Sequence, residues 1–385
     1  MTNYFSSDFK LGILGGGQLG KMMLYETRKF DIQTRVLDPS PEAPSRFSCN
    51  YFEQGDLMDF DTVYNFGKHA DVLTFEIETV NVEALEKLEA EGIKVYPSSR
   101  TLRTVQDKGK QKDFYTTKKI PTAAYNRYNS LKELIKGVEA GKHEFPFIWK
   151  STQGGYDGKG VSVIRKEQDI NDLPDTPCIA EKMIPFKNEL AVIVVRNPDG
   201  DVRTYPVVEM EFHPEANQVE YVICPARIED SVTTKARVLA KQVSDAFEHV
   251  GLLAVEMFQT EDDEILVNEV APRPHNSGHY SIEGSYTNQF EQHIRAILNL
   301  PLGETESKLG AVMVNLVGEE GHTGQVWYEN IEKIMQMKGV TPHIYGKRET
   351  RPFRKMGHVT IVNSDLSEAR KIAEKVKKTI KVIAK

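Results

Sequence analysis

The start of this chain has a short apolar run, a glycine turn and an amphipathic segment in direct succession. From Lys10 it reads KLGIL, then GGGQLG, then KMMLYETRKF, and this order is typical of a βα unit in a parallel sheet. Further strand candidates are TRVLD, ADVLTFEIE and KVYPS, with a helix over VNVEALEKLEAEG. Residues 1–98 are therefore expected to form a doubly wound α/β domain.

The glycines of the first turn allow two interpretations. Gly15, Gly17 and Gly20 fit the pattern GxGxxG, and Asp38 stands where a ribose-binding acid would be expected. That combination indicates a dinucleotide site. The pattern is weak alone, and a tight turn that packs helix against strand needs the same glycines. In either case, amide groups at the start of a helix suit a phosphate.

Composition narrows the class of protein. The chain has 385 residues, 39% of them hydrophobic and 27% charged, which is typical of a globular protein with two or three domains. A net charge of -7 argues against extended contact with nucleic acid. No run approaches the roughly 20 apolar residues of a membrane helix, and the opening MTNYFSSDFK has no signal-peptide core. The cysteines Cys49, Cys178 and Cys224 form no CxxC pair, so we expect a cytoplasmic protein.

A second domain is expected after a helix over Thr101–Lys119, which Pro121 would end. The segments FPFIWK and GVSVIR flank a glycine loop and predict a hairpin. Two more hairpins are expected, with tips at Asp199-Gly200 and Asp262-Asp263, and a helix at about Thr233–His249. After residue 300 the pattern changes to short strands and a lysine-rich amphipathic end. We thus expect α+β structure in 99–300 and a small β-rich domain in 301–385.

The glycine loop KSTQGGYDGKG, from Lys150 to Gly160, is the most specific phosphate signal. Its four glycines let backbone amides approach phosphate oxygens, and Lys150 adds a positive charge. It is no Walker A motif, because Lys159 is followed by glycine rather than serine or threonine. A flexible hairpin tip is the alternative, but it would not need Tyr156, Asp157 and two lysines.

Two glutamates suggest a metal site. Glu256 lies in AVEMF and Glu269 in LVNEVAPR, next to Asn268. If the two strands pair across the Asp262-Asp263 turn, both carboxylates can project toward one face and supply hard oxygen ligands for Mg²⁺. Surface acids on a hairpin are the alternative, although both glutamates have apolar neighbours.

Polar side chains also gather in APRPHNSGHY and in a later basic cluster. Prolines keep the first segment out of a helix, so the His275/His279 spacing does not favour zinc, and Ser277 lies in no GxSxG elbow. A substrate-binding segment fits better. The basic cluster suits a phosphate monoester, with a solvated loop as the alternative; it comprises Lys347, Arg348, Arg351, Arg354 and Lys355.

Seven segments of the chain together resemble the N5-carboxyaminoimidazole ribonucleotide synthetase family of ATP-grasp enzymes. They are GGGQLG, TFEIE, QDKGKQK, KSTQGGYDGKG, the NE that ends with Glu269, APRPHNSGH and RKMGH. The likeness runs from about residue 10 to 365. It implies an ATP-grasp fold of mixed α/β and α+β structure. The domains would be a Rossmann-like domain over 1–98 that does not bind NAD, an ATP-grasp domain of two lobes over 99–300 and a small β-rich domain over 301–385.

The resemblance also implies residue roles. The metal ligands would be Glu256 and Glu269, and the catalytic residues Tyr156, Asp157, Arg273 and His275. The ribonucleotide and bicarbonate would contact Gln18, Leu19, Glu76, Tyr156, Asp157, Arg273, His275, Asn276, Arg351 and Lys355. The nucleotide would contact Lys108, Lys150, Gly155, Tyr156, Asp157, Gly158, Lys159, Gly160, Val161, Glu181, Lys182, Met183, Ile184, Glu189, Asn268, Glu269 and either Phe212 or His213.

The implied reaction transfers a phosphoryl group from ATP, the cosubstrate, to bicarbonate with Mg²⁺ as cofactor. The resulting carboxyphosphate, or carbon dioxide released from it, would carboxylate the exocyclic amine of 5-aminoimidazole ribonucleotide in purine synthesis. A homodimer is expected from the resemblance, with no nucleic-acid or membrane partner. The competing hypotheses are another ATP-grasp ligase, such as a formate-dependent transformylase or a biotin carboxylase, an NAD-dependent oxidoreductase, and a nucleotide-sensing module without turnover.

Overall fold

The computed structural model describes residues 3–154, 160–213 and 218–385. The helices are α1 Gln18–Lys29, α2 Phe60–Gly67, α3 Val82–Ala90, α4 Ser99–Val105, α5 Lys108–Thr117, α6 Leu131–Glu139, α7 Asp230–Phe247, α8 Ser281–Gly284, α9 Gln289–Ile297, α10 Ile331–Met335 and α11 Leu366–Thr379. The strands are β1 Lys10–Leu14, β2 Gln33–Asp38, β3 Tyr51–Gln54, β4 Val72–Phe75, β5 Lys94–Val95, β6 Tyr125–Tyr128, β7 Phe147–Ser151, β8 Val161–Ile164, β9 Cys178–Lys182, β10 Phe186–Arg196, β11 Val202–Thr204, β12 Val208–Phe212, β13 Val219–Cys224, β14 Gly251–Thr260, β15 Ile265–Ala271, β16 Gly310–Val317, β17 Gly324–Glu329, β18 Val340–Ile344, β19 Glu349–Thr350, β20 Lys355–Asn363 and β21 Lys381–Ala384.

The first five strands form a parallel sheet in the order β3-β2-β1-β4-β5. All four residues of β4 are buried, as expected where helices cover both faces of a parallel sheet. The predicted doubly wound α/β arrangement is therefore confirmed. The single helix expected over Thr101–Lys119 is wrong. It is split into α4 and α5, because the Asp107 carboxylate accepts a hydrogen bond from the Lys110 amide at 2.9 Å and starts a new helix.

A four-stranded sheet in the order β6-β9-β7-β8 makes the smaller lobe of the middle region. β7 and β8 pair antiparallel, with Lys150 opposite Val161, so the predicted hairpin around the glycine loop is confirmed. Its apolar core includes Trp149 and Phe147, which pack under α6. In the described part of the chain, no strand ladder joins this sheet to the larger one.

The larger sheet has nine strands in the order β15-β14-β10-β12-β13-β16-β20-β18, with β11 paired to β10. Both predicted hairpins are present, and helix α7 packs its apolar face on the sheet. β13 pairs with β16, from Tyr221 opposite Val314 to Cys224 opposite Ala311. The sheet thus continues past residue 300, where the pattern changed, and the division into domains stays a prediction. No helix in the described ranges is both long and apolar enough to cross a bilayer.

Candidate active site

The glycine turn of the first domain is filled by a carboxylate from the same chain. Glu76 accepts hydrogen bonds from the backbone amides of Gly17 at 2.8 Å and of Leu19 and Gly20 at 3.1 Å. A Cβ on Gly17 would lie 2.7 Å from the Glu76 carboxylate, which explains the glycine. Asp38 accepts from the Gly16 amide at 2.6 Å. The amides that a dinucleotide phosphate would need are therefore occupied, and the turn has the structural role.

Glu76 itself, expected to contact the ribonucleotide, is only 7% exposed. Burial raises the pKa of its carboxyl, although the amides of Gly17 and Gly20 act in the opposite direction. Gln18, also expected at the ribonucleotide, lines a cavity of about 140 Å³ together with Lys21, His343 and Tyr345. The Lys21 ammonium donates to the Ile344 carbonyl at 3.1 Å, so this cavity lies between α1 and β18.

The two predicted metal ligands are opposite each other. Glu256 on β14 pairs with Glu269 on β15, and the next pair is Met257 with Val267. Asn268 is therefore the extra residue of a β-bulge, which changes the local direction of the side chains on β15. The predicted hairpin register is confirmed, and it brings both carboxylates and the Asn268 amide to one place.

The environments of these two glutamates differ. Burial, and then the charges of Glu269 and Glu189, raise the pKa of the Glu256 carboxyl. The Lys108 ammonium, which pairs with Glu269, lowers the pKa of the Glu269 carboxyl. On the other side, His275 Nε2 lies 3.3 Å from Glu256 Oε1. Two neighbouring carboxylates with opposed pKa shifts are typical of a site that holds a cation or a proton between them.

A chain of buried charges holds the predicted phosphate lysine. Glu181 contacts the Lys112 ammonium at 2.9 Å and the Lys150 ammonium at 2.8 Å. Lys150 also donates to Asn268 Oδ1 at 3.0 Å. Burial alone would raise the pKa of Glu181, but the charges of Lys150 and Lys112 outweigh it and lower that pKa. Glu181 is 3% exposed and contacts both lysines, and its expected place near adenine or ribose stays a prediction.

Lys112 is a site residue that the sequence analysis missed. Its ammonium donates to Thr122 Oγ1 at 2.6 Å, and Thr122 donates to the Val267 carbonyl at 2.7 Å. Burial lowers its pKa to about 8, because desolvation outweighs the attraction of Glu181. The available signal was its position one helical turn after Lys108 in QDKGKQK.

The remaining predicted nucleotide residues lie around the connection between the lobes. Lys182 and Met183 are exposed where β9 leads into β10, with Ile184 half-buried beside them. Burial raises the pKa of Glu189, on β10, to about 7. Phe212 ends β12, and the His213 ring contacts Phe353 edge-on at 5.9 Å. Of the glycine loop, Gly160 lies in a turn directly before β8 and Val161 starts that strand, whereas Gly155, Tyr156, Asp157, Gly158 and Lys159 lie outside the described residues.

The APRPHNSGHY segment runs along the cleft in an irregular conformation with one 3₁₀ turn, Asn276–Gly278. Arg273 pairs with Glu78 at 3.1 Å. Asn276 and Asn315 exchange two side-chain hydrogen bonds of 2.9 Å. The described residues hold no group of three His, Cys, Asp or Glu side chains arranged for a metal.

The basic cluster divides into inward and outward members. Lys355 starts β20, and its charge acts on Glu256 and His279 across the cleft. Lys347 donates to the Lys355 carbonyl at 2.7 Å. Arg348 pairs with Glu42 of the first domain at 2.7 Å, and Arg351 is exposed. Both Lys355 and Arg351 are predicted to contact the ribonucleotide. Lys355 is close enough to the glutamate pair for its charge to act on Glu256, whereas Arg351 lies at the surface.

Two α+β lobes with paired glutamates on one and a lysine-bearing hairpin on the other define the chain as an ATP-grasp protein. Family models agree with that class. They match an ATP-grasp domain at 113–290, a ribonucleotide synthetase preATP-grasp domain at 9–106 and a phosphoribosylaminoimidazole carboxylase C-terminal domain at 311–372. The chain belongs to the N5-carboxyaminoimidazole ribonucleotide synthase family.

Individual relatives support this membership. The Bacillus subtilis N5-carboxyaminoimidazole ribonucleotide synthase is 37% identical over 362 residues, covering 93% of this chain and 92% of that protein. The Thermotoga maritima synthetase structure has a TM-score of 0.90 at 42% identity, covering 98% of this chain and 100% of that one. A structure from Aspergillus clavatus in complex with ADP and 5-aminoimidazole ribonucleotide has a TM-score of 0.87 at 34% identity, covering 96% and 98% of the two chains. The chain spans about two thirds of the length of the phosphoribosylaminoimidazole carboxylases that it matches.

Proposed function

We propose that this chain carboxylates the exocyclic amine of 5-aminoimidazole ribonucleotide, using ATP and bicarbonate, to give N5-carboxyaminoimidazole ribonucleotide. The observation that carries the proposal is the pairing of Glu256 with Glu269 directly beside His275. It joins a site suited to ATP phosphates to the segment expected to bind the ribonucleotide. The Aspergillus clavatus relative, crystallised with ADP and this ribonucleotide, supports the same pair of ligands.

The donor set fits Mg²⁺. Glu256 and Glu269 supply carboxylate oxygens, and Mg²⁺ is commonly held in proteins by one or two carboxylates together with phosphate and water oxygens. Burial, and then repulsion from Glu269 and Glu189, raise the pKa of Glu256, and a bound cation would offset both effects. When bound, Mg²⁺ neutralises charge that develops on the phosphates during transfer.

The chain's own residues would then act in two places. Lys150, oriented by Glu181 and Asn268, would contact the phosphate that is transferred. Lys108, which pairs with Glu269, would also help to neutralise the negative charge of that phosphate. Bicarbonate oxygen attacks the terminal phosphorus of ATP, ADP leaves, and carboxyphosphate forms. The amine nitrogen then attacks its carbonyl carbon as inorganic phosphate departs, or carboxyphosphate first divides into phosphate and carbon dioxide and the amine attacks the latter. In both routes the amine loses one proton, which the released phosphate can accept. His275, fixed beside Glu256, would lie at this second step together with Arg273.

The separate roles of Gln18, Leu19, Glu76, Asn276, Arg351 and Lys355 at the ribonucleotide remain part of the proposal. Glu76 would affect the ribonucleotide indirectly, by fixing the glycine turn that carries Gln18 and Leu19, because its carboxylate already accepts hydrogen bonds from three backbone amides. A homodimeric, cytoplasmic enzyme is also proposed, and sedimentation velocity measures the first of these properties directly.

The test is release of ADP from ATP in four mixtures: with 5-aminoimidazole ribonucleotide and bicarbonate together, with each of them alone, and with neither. We expect release to require Mg²⁺ and to rise strongly only when the ribonucleotide and bicarbonate are both present. ADP release at one rate in all four mixtures would contradict the proposal and favour a nucleotidase. Oxidation or reduction of a nicotinamide under the same conditions would favour the oxidoreductase hypothesis.

A further inference from the structure

Gln289, the first residue of α9, is completely buried and holds the catalytic segment by its side chain. Its Oε1 accepts from the backbone amide of His275 at 2.9 Å. Its Nε2 lies 2.8 Å from the His275 carbonyl and 2.8 Å from His279 Nδ1. One amide group thus binds both backbone polar groups of His275 and the ring of His279.

These contacts define the orientation of every group involved. A backbone N–H can only donate, so the atom facing the His275 amide must be the carbonyl oxygen of Gln289. The NH₂ group therefore supplies one hydrogen to the His275 carbonyl and the other to His279 Nδ1. His279 must accept at that nitrogen, which requires the neutral ring, and burial holds the pKa of His279 well below its ordinary value. The Gln289 amide thus satisfies all three partners.

His279 extends the contact to the C-terminal strands. Its ring lies 4.7 Å from that of His358, which in turn stacks on His343 at 4.5 Å and 14°. His358 is opposite His343 on β18 and opposite Asn315 on β16, and Asn315 holds Asn276. The segment from His275 to His279 is therefore held at both ends by Gln289, and Asn276 and His279 also contact residues of the C-terminal strands.

We propose that Gln289 is a positioning residue for the ribonucleotide step: it places His275 beside Glu256 and sets the path of the segment that carries Arg273 and Asn276. The inference rests on the proposed function. Gln289 is buried behind the site, and its replacement should affect the ribonucleotide and not ATP. Loss of its donors should displace His275, whereas Lys108 pairs with Glu269 and Lys150 bonds to Glu181 and Asn268.

The same helix provides a matched control. Gln292 is also completely buried, and its side chain makes the same two-ended contact with another backbone. It donates to the Gly303 carbonyl and accepts from the Gly303 amide, both at 2.8 Å. Gln289→Glu and Gln292→Glu each replace an NH₂ donor by a carboxylate oxygen at constant shape, so both remove a buried donor from α9.

The experiment compares steady-state kinetics of these two variants in the full chain, with 5-aminoimidazole ribonucleotide and ATP varied in turn. We expect Gln289→Glu to raise the KM for the ribonucleotide about tenfold or more and to lower kcat, because small displacements of a positioned group have effects of that size. The KM for ATP should change by less than about threefold. Gln292→Glu should lose comparable thermal stability but keep both KM values.

Equal changes in both KM values, or the same kinetic change in Gln292→Glu, would overturn the inference and leave a purely structural role. If Gln289→Glu does not fold, Gly278→Ala provides the second variant, since the added Cβ would lie 2.4 Å from Gln289 Oε1 and displace the amide. Failure of the proposed function is distinguishable, because the unmodified chain would then show no ribonucleotide-dependent ADP release. Normal release in both Gln289→Glu and Gly278→Ala would overturn the positioning role alone.

Discussion

Lys112 and Lys150 contact different oxygens of the Glu181 carboxylate, at 2.9 and 2.8 Å. Lys150 is thereby directed to Asn268 on the opposite lobe. Helix α5, the four-stranded sheet and the bulge on β15 are thus connected through one buried carboxylate. The orientation of Lys150, the lysine predicted to contact phosphate, therefore depends on Lys112, which need not touch the nucleotide.

Replacing Lys112 by methionine should therefore affect ATP more than the ribonucleotide. Without Lys112, Glu181 has one partner and should draw Lys150 away from Asn268, while the buried network loses stability of about 3–5 kcal/mol. We expect a higher KM for ATP with little change in the KM for the ribonucleotide, measured by ADP release. Lys110→Met, at an exposed position of the same helix, is the control. An unchanged KM for ATP in Lys112→Met would refute the positioning of Lys150.

Replacing Glu269 by glutamine tests the metal site. The amide preserves shape but removes one anionic ligand and the partner of Lys108. Mutation of a residue that only hydrogen-bonds to a metal ligand commonly lowers activity by about 10–100-fold. Loss of a direct ligand should therefore lower turnover by roughly a hundredfold or more. Turnover is measured across a magnesium titration, and Glu264→Gln, at the exposed end of the same hairpin, should behave as the unmodified chain. Full activity of Glu269→Gln at limiting magnesium would exclude this role.

Replacing Lys355 by alanine separates the two substrates. If Lys355 binds the 5′-phosphate of the ribonucleotide, its loss removes a charged hydrogen bond worth about 1.5–3 kcal/mol, or roughly ten- to a hundredfold in affinity. Nucleotide binding, measured by calorimetry without the ribonucleotide, should barely change. Arg348→Ala is the control within the cluster, since Arg348 pairs with Glu42. A selective loss of ATP affinity in Lys355→Ala would place the cluster at the other ligand.

Acid should destabilise the fold through buried neutral histidines. His293 contacts Thr74 at 2.9 Å and accepts from the Leu252 amide at 3.2 Å, and burial lowers its pKa from 6.5 to about 3. Between these values the unfolded chain binds a proton that the folded chain does not. Its contribution to the free energy of unfolding is therefore present above about pH 6.5 and decreases as the pH falls, by about 1.4 kcal/mol per unit.

The matching experiment is urea unfolding at several pH values from 7 to 4.5. His293→Gln keeps hydrogen-bonding capacity but does not titrate, so its free energy of unfolding should depend less steeply on pH by about one proton. His69→Gln, at an exposed position, should keep the original slope. An identical slope in His293→Gln would show that another group controls acid unfolding.

The elements of this fold are largely local, and the sequence predicted them. The hairpins needed only alternating apolar residues around turn residues, and the pairing of Glu256 with Glu269 followed from the hairpin. The bulge at Asn268 did not follow, because one extra residue in a strand leaves no local pattern. The split between α4 and α5 was missed since Asp107 reads equally as a helical residue or as a cap.

Residues that act by long-range contacts were the least predictable. Glu76 reads as an acid at the end of a strand, and nothing nearby shows that it closes a turn about 60 residues earlier. Gln289 lies in an ordinary amphipathic helix, and its partners precede it by 10 and 14 residues. Roles inferred from motif order, including the five residues of the glycine loop outside the described chain, stay predictions.

The separation of the two sheets determines which interactions must change when nucleotide enters or leaves. Because no ladder joins the four-stranded sheet to the nine-stranded one in the ranges described here, widening of the cleft requires side-chain contacts such as Lys150 with Asn268 to break but no interstrand hydrogen bond. Nucleotide exchange is therefore decoupled from unfolding. Hydrogen–deuterium exchange should show that removal of ADP changes the protection of the β7 and β14 ladder amides by the same factor, as expected from the global effect of ligand binding. A selective loss of protection in one of the two ladders would contradict this separation.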